Sequence, residues 1–362
     1  MIKLLTTLLK ISISVAIIAW LVWGAVCDDA FDRLLAQPKH WGLLLAACGL
    51  CCAAAMLTFV RWCYLVRALD IPFALKDAFR LGFLGYLFNM APLGIVGGDL
   101  LKGWMLAKEQ TDHRAEAMAT VVVDRIIGLY ALFVVGSIAI VITQFWQYGT
   151  DISYVCKATI ALMVIGSLGL LALFTPGVTN GKLTNVLARI PKIGPTIERL
   201  LGAVRMYQQK KRILATSMAM SFGVHSLFTL GIFLLACGLY NTIPSLGLHF
   251  VIAPLSAITQ VIPLPAGPME AGLEFLYRSV GMLEHQGFIV ALGYRIVCIL
   301  VATVGVCYFL ANRRKVSEVL HDAETDEHSS TKQSDTTTVI NNNSFCSKPH
   351  VTLHSYSSTP QK

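Results

Sequence analysis

The chain has 362 residues, 55% of them apolar and only 14% charged, against roughly 25% charged in soluble domains. Its mean hydropathy is +0.64. This balance excludes an ordinary soluble enzyme and calls for a lipid solvent, in which about 20 apolar residues make one span. The net charge of +8 does not point to nucleic acid, because the basic residues cluster between apolar runs, as topology and anionic headgroups require.

Taken in order, the first apolar run (4–26) follows Lys3 and is too long for a signal-peptide core. No small-residue cleavage site precedes Cys27-Asp28-Asp29, so the run is expected to remain as a first span. Further spans are predicted at about 41–60, 115–146, 155–175, 212–238 and 287–311. Two more apolar stretches, 81–109 and 250–281, are interrupted near their middles by glycine and proline. Each reads as a pair of re-entrant half-helices that dips into the bilayer and returns to the same side.

Loop charges set the expected orientation. With the N-terminus inside, the inner loops carry Arg61, Arg67, Lys76 and Arg80, then Lys102, Lys108 and Arg114, then the basic segment 182–212. The outer loops carry Asp28, Asp29, Asp32, Asp151 and Glu284, with Arg33 and Lys39, and Arg278 is the exception. Both termini are therefore expected to be cytoplasmic, in a multi-pass protein of the inner (plasma) membrane. Residues 182–211 read as an amphipathic surface segment broken at Pro191 and Pro195. Residues 1–315 form the membrane domain, and 316–362 read as a disordered polar cytoplasmic tail, rich in Ser, Thr and Asn.

One pattern occurs twice. Pro92 is followed by Asp99 and then Arg125, and Pro263 by Glu270 and then Arg295, at nearly equal spacings. Each charge costs about 2.5–3.5 kcal/mol at a helix centre on insertion scales, so two matched sets argue for function. Three spans and one hairpin per half (about 4–146 and 155–311) put the second half in the membrane upside down. An inverted repeat of this kind places its site near the midplane, where broken helices meet.

In the first half the constellation is Asn89-x-x-Pro92-x-Gly94-x-x-Gly97-Gly98-Asp99-x-x-Lys102. Pro92 ends the incoming half-helix, and the glycines permit close backbone approach. A half-helix starting near Gly98 turns unpaired N–H groups and a positive dipole end toward the membrane interior, which suits an anion. Asp99 is equally readable as that helix's N-cap. Asp124-Arg125-x-x-Gly128 follows, with Arg125 the best candidate for bidentate phosphate contact and an Arg125–Asp99 pair the structural alternative.

The second half offers Pro263-x-Pro265-Ala266-Gly267-Pro268-x-Glu270, with Tyr294-Arg295 downstream. Glu270 is a half-helix acid, a proton carrier or the partner of Arg295. His225 reads as a packing residue. The ten cysteines are scattered, most of them inside apolar helices, and Cys48-x-x-Cys51-Cys52 lacks nearby histidine or carboxylate ligands. No cofactor is expected, no metal site, and no nucleophile-elbow, phosphate-loop or zinc motif is present.

These motifs together resemble the membrane region of the lysylphosphatidylglycerol synthases, over about residues 5–311. Two positions depart from the family pattern: Lys102 stands where arginine is usual, and Pro268 falls in a glycine-rich stretch. The resemblance implies a flippase-like protein acting on a phospholipid, an aminoacylated phospholipid or an isoprenoid or glycolipid. Asn89, Gly97, Gly98, Asp99, Lys102, Asp124, Arg125, Glu270 and Arg295 would form its binding site. The synthases carry a separate soluble transferase domain; none is expected in the short polar tail here, so any lipid modification is expected from another polypeptide. A non-catalytic scaffold for envelope-lipid synthesis and a membrane-embedded transferase are the competing readings.

Overall fold

The computed structural model describes residues 2–90, 97–174, 205–262 and 264–311. The first compact unit, Met1–Val316, contains all of these; the second, Ser317–Lys362, lies outside them, as do the tail expected at 316–362 and most of the surface segment expected at 182–211. The described residues are helical, with no strand among them. Six helices are long and apolar enough to cross a membrane: α1 (Ile2–Cys27), α3 (Trp41–Arg67), α6 (Arg114–Thr143), α7 (Thr150–Phe174), α8 (Lys211–Leu239) and α11 (Gln286–Ala311). The chain is an all-α, multi-pass membrane protein.

Four shorter helices stand between the long ones. They are α4 (Leu75–Met90), α5 (Gly98–Glu109), α9 (Leu246–Ile258) and α10 (Pro268–Ser279), and a short α2 (Ala30–Ala36) follows α1. The helices stop at the two interruptions expected from the sequence. Pro92, Gly94 and Pro263 lie outside the described residues, whereas Pro265 and Gly267 sit in the non-helical turn before α10. Gly267 adopts φ +106°, open to glycine at little cost, and Pro268 opens α10, where its missing N–H goes unneeded.

Packing orders these elements. Gly231 and Gly238 let α8 close onto α3, with Cys51 beside Gly231 and Leu44 beside Gly238. Leu57 lies beside Gly223, so residue numbers fall along α8 as they rise along α3, and the two helices are antiparallel. The hairpin α4–α5 begins where α3 ends and returns to where α6 starts. At that end Arg67 donates to the Phe73 carbonyl at 2.7 Å, and Arg80 pairs with Glu109 at 2.7 Å. The hairpin α9–α10 begins where α8 ends and returns to the start of α11; there Gln286 donates to the Thr242 carbonyl at 2.6 Å. The two hairpins thus approach the α3–α8 pair from opposite ends.

The cross-contacts correspond as well. The first hairpin leans α4 on α11, the second leans α9 on α6, and each return helix packs on the long helix that follows it. Glycine permits the closest approaches: a side chain at Gly305 of α11 would overlap the Phe83 carbonyl of α4. Unlike these, α1 and α7 do not correspond, since α1 lies on α10 while α7 lies on α6.

One boundary differs from expectation. The second span does not stop near residue 60; α3 continues to Arg67, and Arg61, expected in a loop, is inside the helix and 4% exposed. Apolar sequence continues past it through Trp62, Cys63, Leu65 and Val66, all buried, so the helix has no reason to end.

Candidate functional site

The return helix of each hairpin carries its carboxylate in the first turn. Asp99 follows Gly98 at the start of α5, and Glu270 is the third residue of α10. Asp99 is not the N-cap: Gly97 holds that position. Glu270 does cap, its Oε2 accepting the Gly267 N–H at 2.8 Å. The difference frees Asp99 for side-chain partners.

Those partners form one cluster. Asp99 pairs with Arg125 of α6, with Lys102 at 2.9 Å, and accepts from Asn89 of α4 at 3.3 Å. Lys102 reaches on to Asp124 at 3.7 Å and lies 4.9 Å from the centre of the Trp62 ring. Asp124 is held from its far side by Arg61, whose Nε donates to Oδ1 at 2.9 Å. The Arg61 guanidinium also donates to the Asp124 carbonyl at 3.3 Å and to Ser221 of α8 at 2.6 Å. Asp124 and Arg125, about 100° apart on their helix, therefore take different partners, and Lys102 bridges the two pairs.

Exposure divides the cluster. The side chains of Arg61, Asp124 and Lys102 are 5%, 3% and 6% exposed, Asp99 is 18% exposed, and Arg125 is 63% exposed. Among the charged side chains of the cluster, Arg125 is the one open to a ligand without rearrangement. Lys102, expected as a direct ligand, is enclosed between two carboxylates and an indole.

The second pair is simpler. Arg295 of α11 donates to Glu270 through Nε at 2.8 Å and also through Nη2. Glu270 is 2% and Arg295 27% exposed. With Gly267 on its other oxygen, Glu270 is an anchored carboxylate. Of the nine residues expected to bind, the structure gathers Asn89, Gly97, Gly98, Asp99, Lys102, Asp124 and Arg125 at the first hairpin, and Glu270 with Arg295 at the second.

Sequence reading missed Arg61 and Ser221, which complete the first cluster, and Glu274. Glu274 is buried in α10 and accepts the backbone N–H groups of His285 at 2.7 Å and Phe288 at 3.0 Å, tying α10 to the start of α11. His225 packs as expected, its Nε2 bonding the Gly128 carbonyl oxygen at 2.9 Å. Asp28, Glu284 and His285 bring potential metal-ligand atoms within 4.8 Å of one another. Each is already engaged, His285 in a hydrogen bond with Asp28 at 3.0 Å and Glu284 in an ion pair with Arg278.

The family model of the lysylphosphatidylglycerol synthase TM region matches residues 7–305. The chain belongs to that family. The match begins inside α1 and ends inside α11, so it takes in both hairpins and every charged residue of the two clusters. No curated protein and no solved structure matched the chain significantly, so the geometry itself carries the functional argument.

Proposed function

We propose that the chain moves an anionic, phosphate-bearing lipid from one leaflet to the other, without altering it chemically. The observation that carries this reading is the charge balance of the first cluster. Arg61, Lys102 and Arg125 supply three cations, and Asp99 and Asp124 two carboxylates. One positive charge is left over inside an apolar bundle, where an unmatched charge is expensive. The most exposed member is Arg125, whose planar fork suits a phosphate.

In this reading the Asp99–Arg125 pair is the resting state. An incoming phosphate competes with Asp99 for Arg125, while Lys102 and Asn89 keep Asp99 satisfied. Arg61 and Ser221 hold Asp124 and Lys102 in place throughout. Glu270 and Arg295 form the corresponding pair on the second hairpin, which opens toward the other leaflet. The hairpins are re-entrant, the halves an inverted repeat, and rocking of one half against the other alternates access. The charges of the connecting segments favour cytoplasmic termini in the plasma membrane, and an enzyme on another polypeptide would supply any modified lipid.

The test is movement of fluorescent phosphatidylglycerol, aminoacylated phosphatidylglycerol and an isoprenoid-phosphate lipid across proteoliposome membranes. The wild type should move at least one, and Arg125→Ala should lose it while folding normally. Equal movement by a well-folded Arg125→Ala protein would remove Arg125 from the site. Absence of movement for every lipid, with a chemically altered product by mass spectrometry, would replace transport with a transferase; absence of both would favour a scaffold.

A further inference from the structure

Outside the two charge clusters, the described residues bring together one set of metal-ligating side chains. Asp28 directly follows α1, while Glu284 and His285 directly precede α11. One ligand atom of each lies within 4.8 Å of the other two. The donors are mixed, two carboxylates and one imidazole.

The histidine is held both by its own backbone and by α1. Its N–H donates to Glu274 at 2.7 Å, and its φ of +64° lies in a region that non-glycine residues rarely adopt. Gly24, one turn before Asp28, leaves room for the ring: a Cβ there would stand 2.6 Å from Cε1 of His285. The imidazole is thereby set against the end of α1, 257 residues from Asp28 in sequence, and His285 is only 9% exposed.

The bonds already made leave donor atoms over. Nε2 of His285 bonds Asp28 Oδ2 at 3.0 Å, while Nδ1 is buried with no hydrogen-bond partner among the described residues. Arg278 occupies Oε1 of Glu284, and Arg33 donates to the Glu284 backbone carbonyl at 3.3 Å. Among the described residues, Oδ1 of Asp28 and Oε2 of Glu284 make no hydrogen bond. Charge is unmatched as well. The corner from α1 to α2 and the loop facing it carry Asp28, Asp29, Asp32 and Glu284 against Arg33 and Arg278, so carboxylates exceed arginines by two.

A hard cation such as Ca²⁺ is bound through oxygen and makes no use of a buried imidazole. One imidazole with two carboxylates suits a divalent transition ion, as in the three-ligand sites of zinc. We propose that Asp28, Glu284 and His285 bind a divalent transition-metal ion of the zinc class, which ties the end of α1 to the start of α11. The ion takes the place of the proton between Asp28 and His285. Ligands roughly 2.0–2.2 Å from such an ion stand about 3–3.5 Å apart, so the Asp28–His285 spacing already fits. Glu284 is half exposed and has room to close the third side, with Arg278 orienting its carboxylate from outside. α1 packs chiefly on α10 and the short α2, so the ion adds a fixed point at the end of a sparsely packed helix. The site does not rest on the transport reading, so either can fail without the other.

The experiment titrates Zn²⁺ into the full chain in detergent, after chelator treatment and dialysis, and follows binding by calorimetry. One ion should bind with an affinity that falls about tenfold or more in Asp28→Asn and in His285→Asn. Asparagine is chosen at 285 because it tolerates the left-handed backbone there. Zinc should raise the melting temperature of the wild type and of neither variant. Ca²⁺ should bind about tenfold more weakly than Zn²⁺, or less. Melts without metal identify a variant that misfolds; if His285→Asn does, Asp28→Asn and the calcium comparison decide. Unchanged zinc affinity in the well-folded variants would put any bound zinc elsewhere on the chain. Calcium bound as tightly as zinc would reduce the cluster to an acidic patch. Either result, or no zinc binding at all, would overturn the assignment.

Discussion

Arg61 shows how one residue's environment decides its role. An arginine at the end of an apolar run reads as a loop charge at the headgroups, and only the apolar residues continuing through Val66 hint otherwise. In the folded protein it is enclosed by α6 and α8 and holds Asp124. Arg61→Ala leaves that carboxylate with Lys102 alone, at 3.7 Å. Breaking a buried pair on one side costs about 3–5 kcal/mol, so thermal denaturation should show a clear loss of stability. Replacing both partners, as Arg61→Met with Asp124→Leu, should recover most of it. The pair removed is neutral, so Lys102, Arg125 and Asp99 still carry one net positive charge. The double variant should therefore retain lipid movement if the Arg61–Asp124 pair only positions its neighbours, and loss of movement in a stable double variant would make that pair part of the binding site.

At the level of elements, the two glycines before Asp99 do different work. The sequence presents Gly97 and Gly98 as one flexible unit, but among the described residues only Gly98 is required by packing. A Cβ at Gly98 would overlap the Gly85 carbonyl of α4, whereas one at Gly97 would meet nothing closer, among the described residues, than Asn89 Oδ1 at 3.9 Å. Gly97 has φ −60°, a conformation open to any residue. Gly98→Ala should therefore wedge α4 from α5, costing about 1–3 kcal/mol or more, and Gly97→Ala should melt like wild type. The second hairpin carries a comparable contact where α11 leaves it, with the Leu273 carbonyl 2.5 Å from a Cβ on Gly287. Gly287→Ala should consequently be destabilising too. If Gly98→Ala melts with Gly97→Ala, the close approach of α4 and α5 is not what Gly98 provides.

Across the whole molecule, the two hairpins enter from opposite ends of the antiparallel α3–α8 pair. In a bilayer, this places Asp112, after α5, and Leu283, after α10, on opposite surfaces; both are exposed. In an active cysteine-free background, Asp112→Cys should react with a membrane-impermeant thiol reagent from one side only, and Leu283→Cys from the other. Labelling of both from the same side would exclude the inverted arrangement and the alternating access built on it.

The sequence by itself determined the membrane class, the six long helices, both interruptions and the carboxylate–arginine sets beside them. These are local properties: hydropathy summed over twenty residues, the missing N–H of proline, and the cost of a charge in lipid do not depend on distant partners. Tertiary structure alone decided which charges meet. Asp124 selects Arg61, 63 residues away, instead of its neighbour's partner, and Lys102 lies between two carboxylates that the sequence leaves unconnected. It also decided exposure, leaving Arg125 open and enclosing Lys102. Buried charges are stabilised by partners brought near in space, and that nearness depends on how closely the glycines of α4, α5 and α8 allow their helices to pack.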